Sequence, residues 1–546
     1  MRIKNAVRYK APIEMLKPWF ILMLAVIVIA GCAKESSEAA PSEAKQITVA
    51  SSTDSGINRL DAASYEGMMQ AYPLIYDSLV EYGEKGEIQP ALAESWDISP
   101  DGKEYTFHLR KDVQFSDGTP FNAEAVKFSV DRWANKPEHD WLLTSKNLKS
   151  VEVIDEFTVK LTFTKHYYMT LAELSYPRPF RIMSPTSVEP AGDPEGKFVK
   201  AIGTAAWVQA EYIQDVQTVF TPNSTYWGDK SGIDKLTFKV VPDSQSRVLA
   251  AQNGTIDIAG GEVSKIPLES LSLLKNGEKT KLATQKGTAS YFLVVNDANK
   301  AIADKKVRQA INYAVDKQSI ARDLFDGTGS PATGILPTTN AYVSEDNNKG
   351  YSYNPGMAKQ LLNEAGWKDA NGDGTVEKEG ENLVFSLVLQ TEEYPEWKPL
   401  AEAVQDQLSK VGIQVELKVL EQASYYDALW KNKDYDLLIY RTYADAFNPL
   451  SFLMALFYKT NEAPAVAFGT EQLSSLIDRA AATLTDEERF KAYNDIFQLM
   501  NEEAMSVPLF YPDDLFVVNN RISDVQLGAT TFRPIVWEKL RLDEQR

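Results

Sequence analysis

Apolar and polar positions change period many times along this chain, and the changes mark out alternating strands and helices. Gln46 to Thr53 alternates enough to form a first strand. Met68 to Tyr82 reads as helical, with Met69, Tyr72, Tyr76 and Leu79 spaced three to four apart. A turn at Ser99 to Gly102 leads into the alternating strand Tyr105 to Arg110. After the turn Asp117-Gly118, Asn122 caps a helix that carries Val126, Val130 and Trp133 on one face. Asn354-Pro355 opens another helix that Gly366 closes, proline at the first position and glycine past the last. Gln414 to Leu420 and Tyr435 to Tyr443 read as strands, with Tyr425 to Trp430 helical between them. Thr485 to Glu488 is a capping box, and Phe490, Tyr493, Phe497 and Met500 share a face of the helix behind it. Strands and helices mixed throughout predict α/β lobes rather than a sandwich or a bundle.

The first residues follow a different rule. Arg2, Lys4, Arg8, Lys10 and Lys17 precede an unbroken apolar run from Trp19 to Ala30, too short to span a bilayer comfortably. The run ends in Ile29-Ala30-Gly31-Cys32, which resembles the signal of a bacterial lipoprotein, cut before the cysteine and lipidated on it. The other reading is an uncleaved N-terminal anchor. Residues 1–31 are thus expected to be a signal peptide and 32–45 a flexible tether rich in Ser, Ala and Glu. The body would then sit outside the cytoplasmic membrane, held by a lipid on Cys32. No other cysteine remains for a disulfide or a thiolate ligand.

Charge narrows the partners. The formal net charge is −19, and removing a leader with five bases and one acid leaves about −23. Such a surface repels nucleic acid and anionic lipid, and neither is expected as a bulk partner.

Catalytic patterns are thin. The chain has no Gly-x-Ser-x-Gly, no His-Glu-x-x-His and no phosphate loop, and only His108, His139 and His166 carry imidazole. Asp369-Ala370-Asn371-Gly372-Asp373-Gly374 begins like a calcium loop, but its twelfth position is Gly380 and Glu381 falls one place late. A solvated turn fits that stretch better. The segment Tyr176-Pro177-Arg178-Pro179-Phe180-Arg181 stands out more. Two prolines hold Arg178 on a stiff, extended backbone that suits an edge or a cleft wall. Two readings stand: a stiff connector with two solvated arginines, or a guanidinium fixed for bidentate capture of a carboxylate.

Longer motifs carry a resemblance. Ala93 to Arg132 closely resembles the signature of the family 5 extracellular solute-binding proteins of ABC importers, which bind oligopeptides, dipeptides and nickel. Asn223 to Gly228, Val307 to Asp316, and Tyr353-Asn354-Pro355 through Ala365-Gly366-Trp367 match further landmarks in the same order. One departure is Ile202-Gly203-Thr204-Ala205-Ala206, where the family usually carries Gly-Thr-Gly-Pro.

The resemblance implies a three-lobed α/β fold of the type II periplasmic-binding-protein kind, with a discontinuous first lobe. Lobe I would hold residues 46–86, 205–292 and 514–546, lobe II residues 87–204, and lobe III residues 293–513. It implies no enzyme and no cofactor, but a monomeric receptor that closes on its ligand and passes it to an ABC permease and its ATPase subunits. Tyr167-Tyr168, Glu173-Leu174 and the arginine segment look like the nickel and metallophore branch, whose binders present an arginine to the ligand at the place of Arg178. Met69 and Trp141 match cleft residues of the nickel binder. Arg441, Tyr443 and Phe447 fall at cleft positions of the third lobe, and Arg533 falls where that branch again lines its cleft. Arg181 is left without an assigned role.

Two features set the expected ligand. The metal-coordinating histidine of the nickel binder has no counterpart, since no histidine follows His166. A bare ion favours several imidazole or thiolate ligands, so a metal wrapped in a carboxylate chelator is expected instead. Asp445 lies four residues before Pro449, where peptide binders hold the ammonium of their ligand. It fits an opine-type metallophore and a dipeptide alike, so a short peptide is the alternative ligand. A secreted hydrolase on a similar scaffold is a third reading, which turnover lost on one carboxylate substitution would revive.

Overall fold

Local rules place most elements. The computed structural model describes residues 45–83, 86–275, 277–442, 448–460 and 465–543. The alternating start of the body forms the strand Gln46–Ser51, which runs parallel to Lys235–Val240 on one side and to Ile258–Gly260 on the other. These belong to a seven-stranded sheet in the order Trp207–Ile213, Gln217–Pro222, Lys235–Val240, Gln46–Ser51, Ile258–Gly260, Asp514–Asn519, Thr280–Gln285. Three distant stretches of chain thus build one sheet, and Ile47, Val49, Phe220, Phe238 and Trp537 pack in its core.

A four-stranded antiparallel sheet, in the order Ala93–Ile98, Glu104–Leu109, Thr158–Phe163, Leu148–Asp155, forms a second lobe. The helix Ala123–Trp133 covers it, capped by Asn122, whose side chain accepts from the Ala125 amide at 3.1 Å. A six-stranded mixed sheet forms the third lobe, in the order Gly329–Pro331, Ser506–Pro512, Tyr291–Val295, Leu437–Arg441, Val384–Leu389, Gln414–Val419. Each sheet has its own apolar core. The chain crosses between the first and third sheets twice, through residues 286–290 and through Asp513.

Several boundaries depart from the pattern. Met68 to Tyr82 is not one helix but a 3-10 turn Met69–Ala71, a short helix Tyr72–Ile75 and a strand Val80–Tyr82. Pro73 occupies the first turn, and Tyr76 is already extended at φ −120°. Tyr72, Tyr76 and Leu79 are buried as the spacing requires, but Met69 is half-buried and faces elsewhere. The helix Asp486–Glu502 carries its capping box, and Tyr493, Phe497 and Met500 are buried, while Phe490 in the first turn is 40% exposed. The segment Tyr425 to Trp430 ends as a π-helical turn, Ala428–Asn432. At the departure near residue 203 the glycine is needed: a Cβ there would stand 2.0 Å from the Ile75 carbonyl oxygen.

No helix among the described residues is long and apolar enough to cross a membrane. Cys32 and its leader lie outside the described residues.

Candidate functional site

A cavity of about 750 Å³ opens between the lobes. One wall is made by Met69 and Gln70 from the 3-10 turn, Trp141, Tyr176 and Thr531. The rest of the lining comes from Glu262 of the first lobe and from Trp430, Arg441, Ser451 and Ala455 of the third. Trp141 is 58% exposed and Trp430 37%, so two indoles present apolar surface to the cavity. The size lies within the usual range for small-molecule sites.

Three of the residues singled out from sequence, Met69, Trp141 and Arg441, are brought together on this cavity. Arg178 stands behind Trp141. Its guanidinium lies over the Tyr65 ring at 4.7 Å, and that ring packs edge-on to Trp141 at 5.3 Å. Nη1 donates to the backbone carbonyls of Tyr65 and Gly67, and the Tyr65 hydroxyl donates back to the Arg178 carbonyl at 2.9 Å. Among the described residues no carboxylate comes within 4.0 Å of Arg178, and its Nε is buried without a hydrogen-bond partner.

Arg533 takes another place. It starts the short strand Arg533–Ile535, and its Nη2 donates to Glu538. Burial works against its charge, but Glu538, Glu81, Tyr226 and Asp77 hold its pKa above the usual arginine value. Arg181 is 1% exposed and belongs to the same seam, donating to Glu81 at 2.7 Å and to the carbonyls of Tyr176 and Ser175. Glu173 is buried as well; it accepts from the Tyr167 hydroxyl at 2.7 Å and the Thr144 amide at 2.9 Å, and burial pushes its carboxyl up. Tyr443, Asp445 and Phe447 lie outside the described residues.

Arg441 is tied into a chain of charges that the sequence did not reveal. Its Nε donates to the Tyr394 hydroxyl and lies 3.7 Å from Glu262, and that hydroxyl donates to Glu262 at 2.9 Å. Lys265 stands 3.5 Å from Glu262 and 3.3 Å from Glu396, and the Tyr291 hydroxyl donates to Glu396 at 2.6 Å. Burial disfavours the Glu262 carboxylate, yet Lys265, Arg441 and the Tyr394 hydroxyl together hold its pKa down at about 2. Glu262 follows Gly260-Gly261, and the close approach there is strict, since a Cβ on Gly260 would stand 2.3 Å from the Leu515 carbonyl oxygen. That glycine pair before an acid was the one local signal for this residue.

None of the histidines lines the cavity. His108 pairs with Asp97 on the surface, His139 faces the Ala63 carbonyl, and both ring nitrogens of His166 lie against carbonyls of Gly102 and Thr483. Among the described residues no group of three or more His, Cys, Asp or Glu is placed to hold a metal ion. In the Asp369 loop the carboxylate accepts from the loop's own amides, Gly372 at 2.7 Å and Gly374 at 3.1 Å.

Residues 87–464 match the model of the bacterial extracellular solute-binding proteins, family 5. The chain belongs to that family. It is thus a solute-binding protein of an ABC importer, from the group that includes nickel and peptide binders. A nickel-binding periplasmic protein of Escherichia coli is 30% identical over 476 residues, covering 86% of this chain and 89% of the relative. Heme-binding protein A of Haemophilus influenzae is 30% identical over 531 residues, covering 90% and 93%. The crystal structure of NikA from Brucella suis in complex with Fe(III)-EDTA superposes with a TM-score of 0.84 at 31% identity, covering 91% of this chain and all of that one. The three lobes seen here are those of the type II periplasmic binding proteins.

Proposed function

We propose that this solute-binding protein captures a transition-metal chelate, nickel being one candidate metal, in the interlobe cavity and delivers it to a membrane permease. The observation that carries this reading is the lining: two indoles, a methionine, an arginine and a single carboxylate, with no imidazole among them. Such a wall suits the organic body and carboxylates of a chelator better than a bare ion, which needs its own set of side-chain donors. The relatives support it, one named for nickel and one crystallised around a chelated iron. Arg178 would meet a carboxylate of the chelator, and Arg441, with Glu262 beside it, would line the third-lobe wall. Two or three charge-assisted hydrogen bonds of about 1.5–3 kcal/mol each, with apolar contact, suffice for micromolar affinity, about −8 kcal/mol. Tyr443, Asp445, Phe447 and Arg533 are kept as proposed ligand-binding residues on the family resemblance alone. A lipid on Cys32 would hold the protein to the membrane. The lobe limits are proposed as 46–86, 205–292 and 514–546 for the first, 87–204 for the second and 293–513 for the third; the third-sheet strand Tyr291–Val295 starts two residues before the limit at 293, and the pair Val80–Tyr82 with Ile88–Pro90 spans the one at 86.

Native mass spectrometry of protein purified from its own cells, combined with metal analysis, tests the reading. A co-purifying mass that contains a metal and a small organic ligand is expected. A mass without metal that resolves into short peptides would replace the chelate with a peptide.

A further inference from the structure

The interlobe cavity is backed by a smaller one of about 70 Å³, lined by Lys265, Tyr291, Glu396 and Asp514 at the crossing between the first and third lobes. Glu262 lines both. Its side chain is about one-fifth exposed, so it meets the ligand space while remaining anchored behind it. The anchoring partners come from two lobes: Lys265 stands on the same loop as Glu262, and Tyr394 and Arg441 belong to the third.

The signs of the charges matter here. Arg441, Glu262, Lys265 and Glu396 alternate positive and negative and sum to zero. The charge of Arg441 is therefore matched before any ligand arrives. A carboxylate that approaches Arg441 also approaches Glu262, and like charges a few ångströms apart in a partly desolvated cleft repel strongly. Arg178, which stands behind Trp141 rather than on the lining itself, has no such acid beside it among the described residues.

We propose that Glu262 is a specificity-determining residue that sets the charge of the accepted ligand, selecting a neutral chelate or one presenting a cationic or N–H group to it and rejecting polyanionic chelates. A ligand carboxylate is then gripped from the Arg178 side, and an ammonium, amine or metal-bound water faces Glu262. A carboxylate with only acceptor oxygens offers nothing to a second carboxylate, so the discrimination comes from repulsion as well as attraction. The inference rests on the cavity being the ligand site, and the test separates the two.

Calorimetric titration of the wild type, Glu262→Gln and Glu262→Asp with three probes decides it: nickel bis(L-histidine), which is neutral, nickel–EDTA, which carries two negative charges, and the zwitterion alanyl-alanine. The wild type is expected to bind the neutral chelate at least about tenfold more tightly than the EDTA complex. In Glu262→Gln, which keeps the size and the acceptor for Tyr394, that ratio should fall to near unity, chiefly by tighter binding of the EDTA complex. Glu262→Asp, which keeps the charge, should keep most of the ratio, and melting curves report that each variant is folded. A wild type that prefers the EDTA complex, or a ratio unchanged in Glu262→Gln, overturns the inference. If the wild type binds the dipeptide and neither chelate, the chelate reading fails. The role of Glu262 then stands only if Glu262→Gln weakens the dipeptide about tenfold, because its ammonium has lost a counter-charge. Binding of none of the probes overturns both.

Discussion

Arg178 and Arg181 lie on one proline-bracketed segment, and their surroundings differ in every respect that matters for function. Arg181 is sealed, with a carboxylate partner in Glu81 and carbonyl acceptors for its remaining donors. Arg178 is half-buried, leans on aromatic rings, and has carbonyls but no carboxylate beside it among the described residues. A guanidinium with its counter-charge in place can do little for a ligand. One whose charge is unmatched, on a backbone stiffened by Pro177 and Pro179, loses little freedom when an anion reaches it.

The largest effect that would test this contrast lies at Arg181. Arg181→Ala takes from Glu81 its hydrogen-bonded cation and leaves only the more distant Arg533 in the seam, and breaking such a pair costs about 3–5 kcal/mol. Chemical unfolding should register that loss, while the ligand affinity of the folded fraction stays close to wild type. A stability loss below about 1 kcal/mol would put Arg181 among the solvated arginines and erase the contrast.

A half-buried acid on the smaller cavity extends the comparison with a pH signature. Burial, with a further push from Glu262, raises the Asp514 carboxyl from 3.8 to about 6. The folded state therefore holds a proton that the unfolded chain has already released. The associated stability is full below the unfolded value, is lost as pH rises through about 6, and stays lost above. Asp514→Asn mimics the protonated form and keeps an acceptor for Gln285, whose amide donates at 3.2 Å. The variant should be more stable than wild type at pH 7.5 by up to about 3 kcal/mol, with the difference closing near pH 4. Parallel unfolding curves across that range would show instead that Asp514 is well solvated.

What could be read from the chain beforehand follows the range of the forces involved. Caps and helix starts were legible at Asn122, Asn354-Pro355 and Thr485 because their partners lie within a few residues. Phe490 satisfied the helical period and still ended exposed, since the period says which face a residue shares, not whether another element reaches that turn. Met69 likewise fitted a buried stripe, but it sits in a separate 3-10 turn ahead of the helix and lines the cavity instead. Met69, Trp141 and Arg441 came through family resemblance and share one cavity. Glu262 escaped because its role depends on the strands Ile258–Gly260 and Asp514–Asn519 meeting across more than 250 residues of chain, and on Tyr394 and Arg441 arriving from another lobe. No spacing rule carries that information.

The smallest effect falls at Arg178, and it should appear only where a ligand is present. Arg178→Ala removes a guanidinium whose described partners are the backbone carbonyls of half-buried Tyr65 and buried Gly67, on either side of the exposed Glu66, where water can enter in its place. The apo protein should therefore melt nearly as the wild type does. Affinity for a carboxylate-bearing ligand should drop at least about tenfold, or 1.4 kcal/mol, because the lost interaction is charge-assisted. Arg178→Lys keeps the charge without the planar fork or the ring stacking, so it should recover only part of that loss. If the melting temperature and the affinity fell together in Arg178→Ala, the segment would be a stiff connector whose two arginines both hold structure. If affinity alone fell, the proline-bracketed stretch divides its work between neighbours, Arg181 closing the seam and Arg178 facing the ligand.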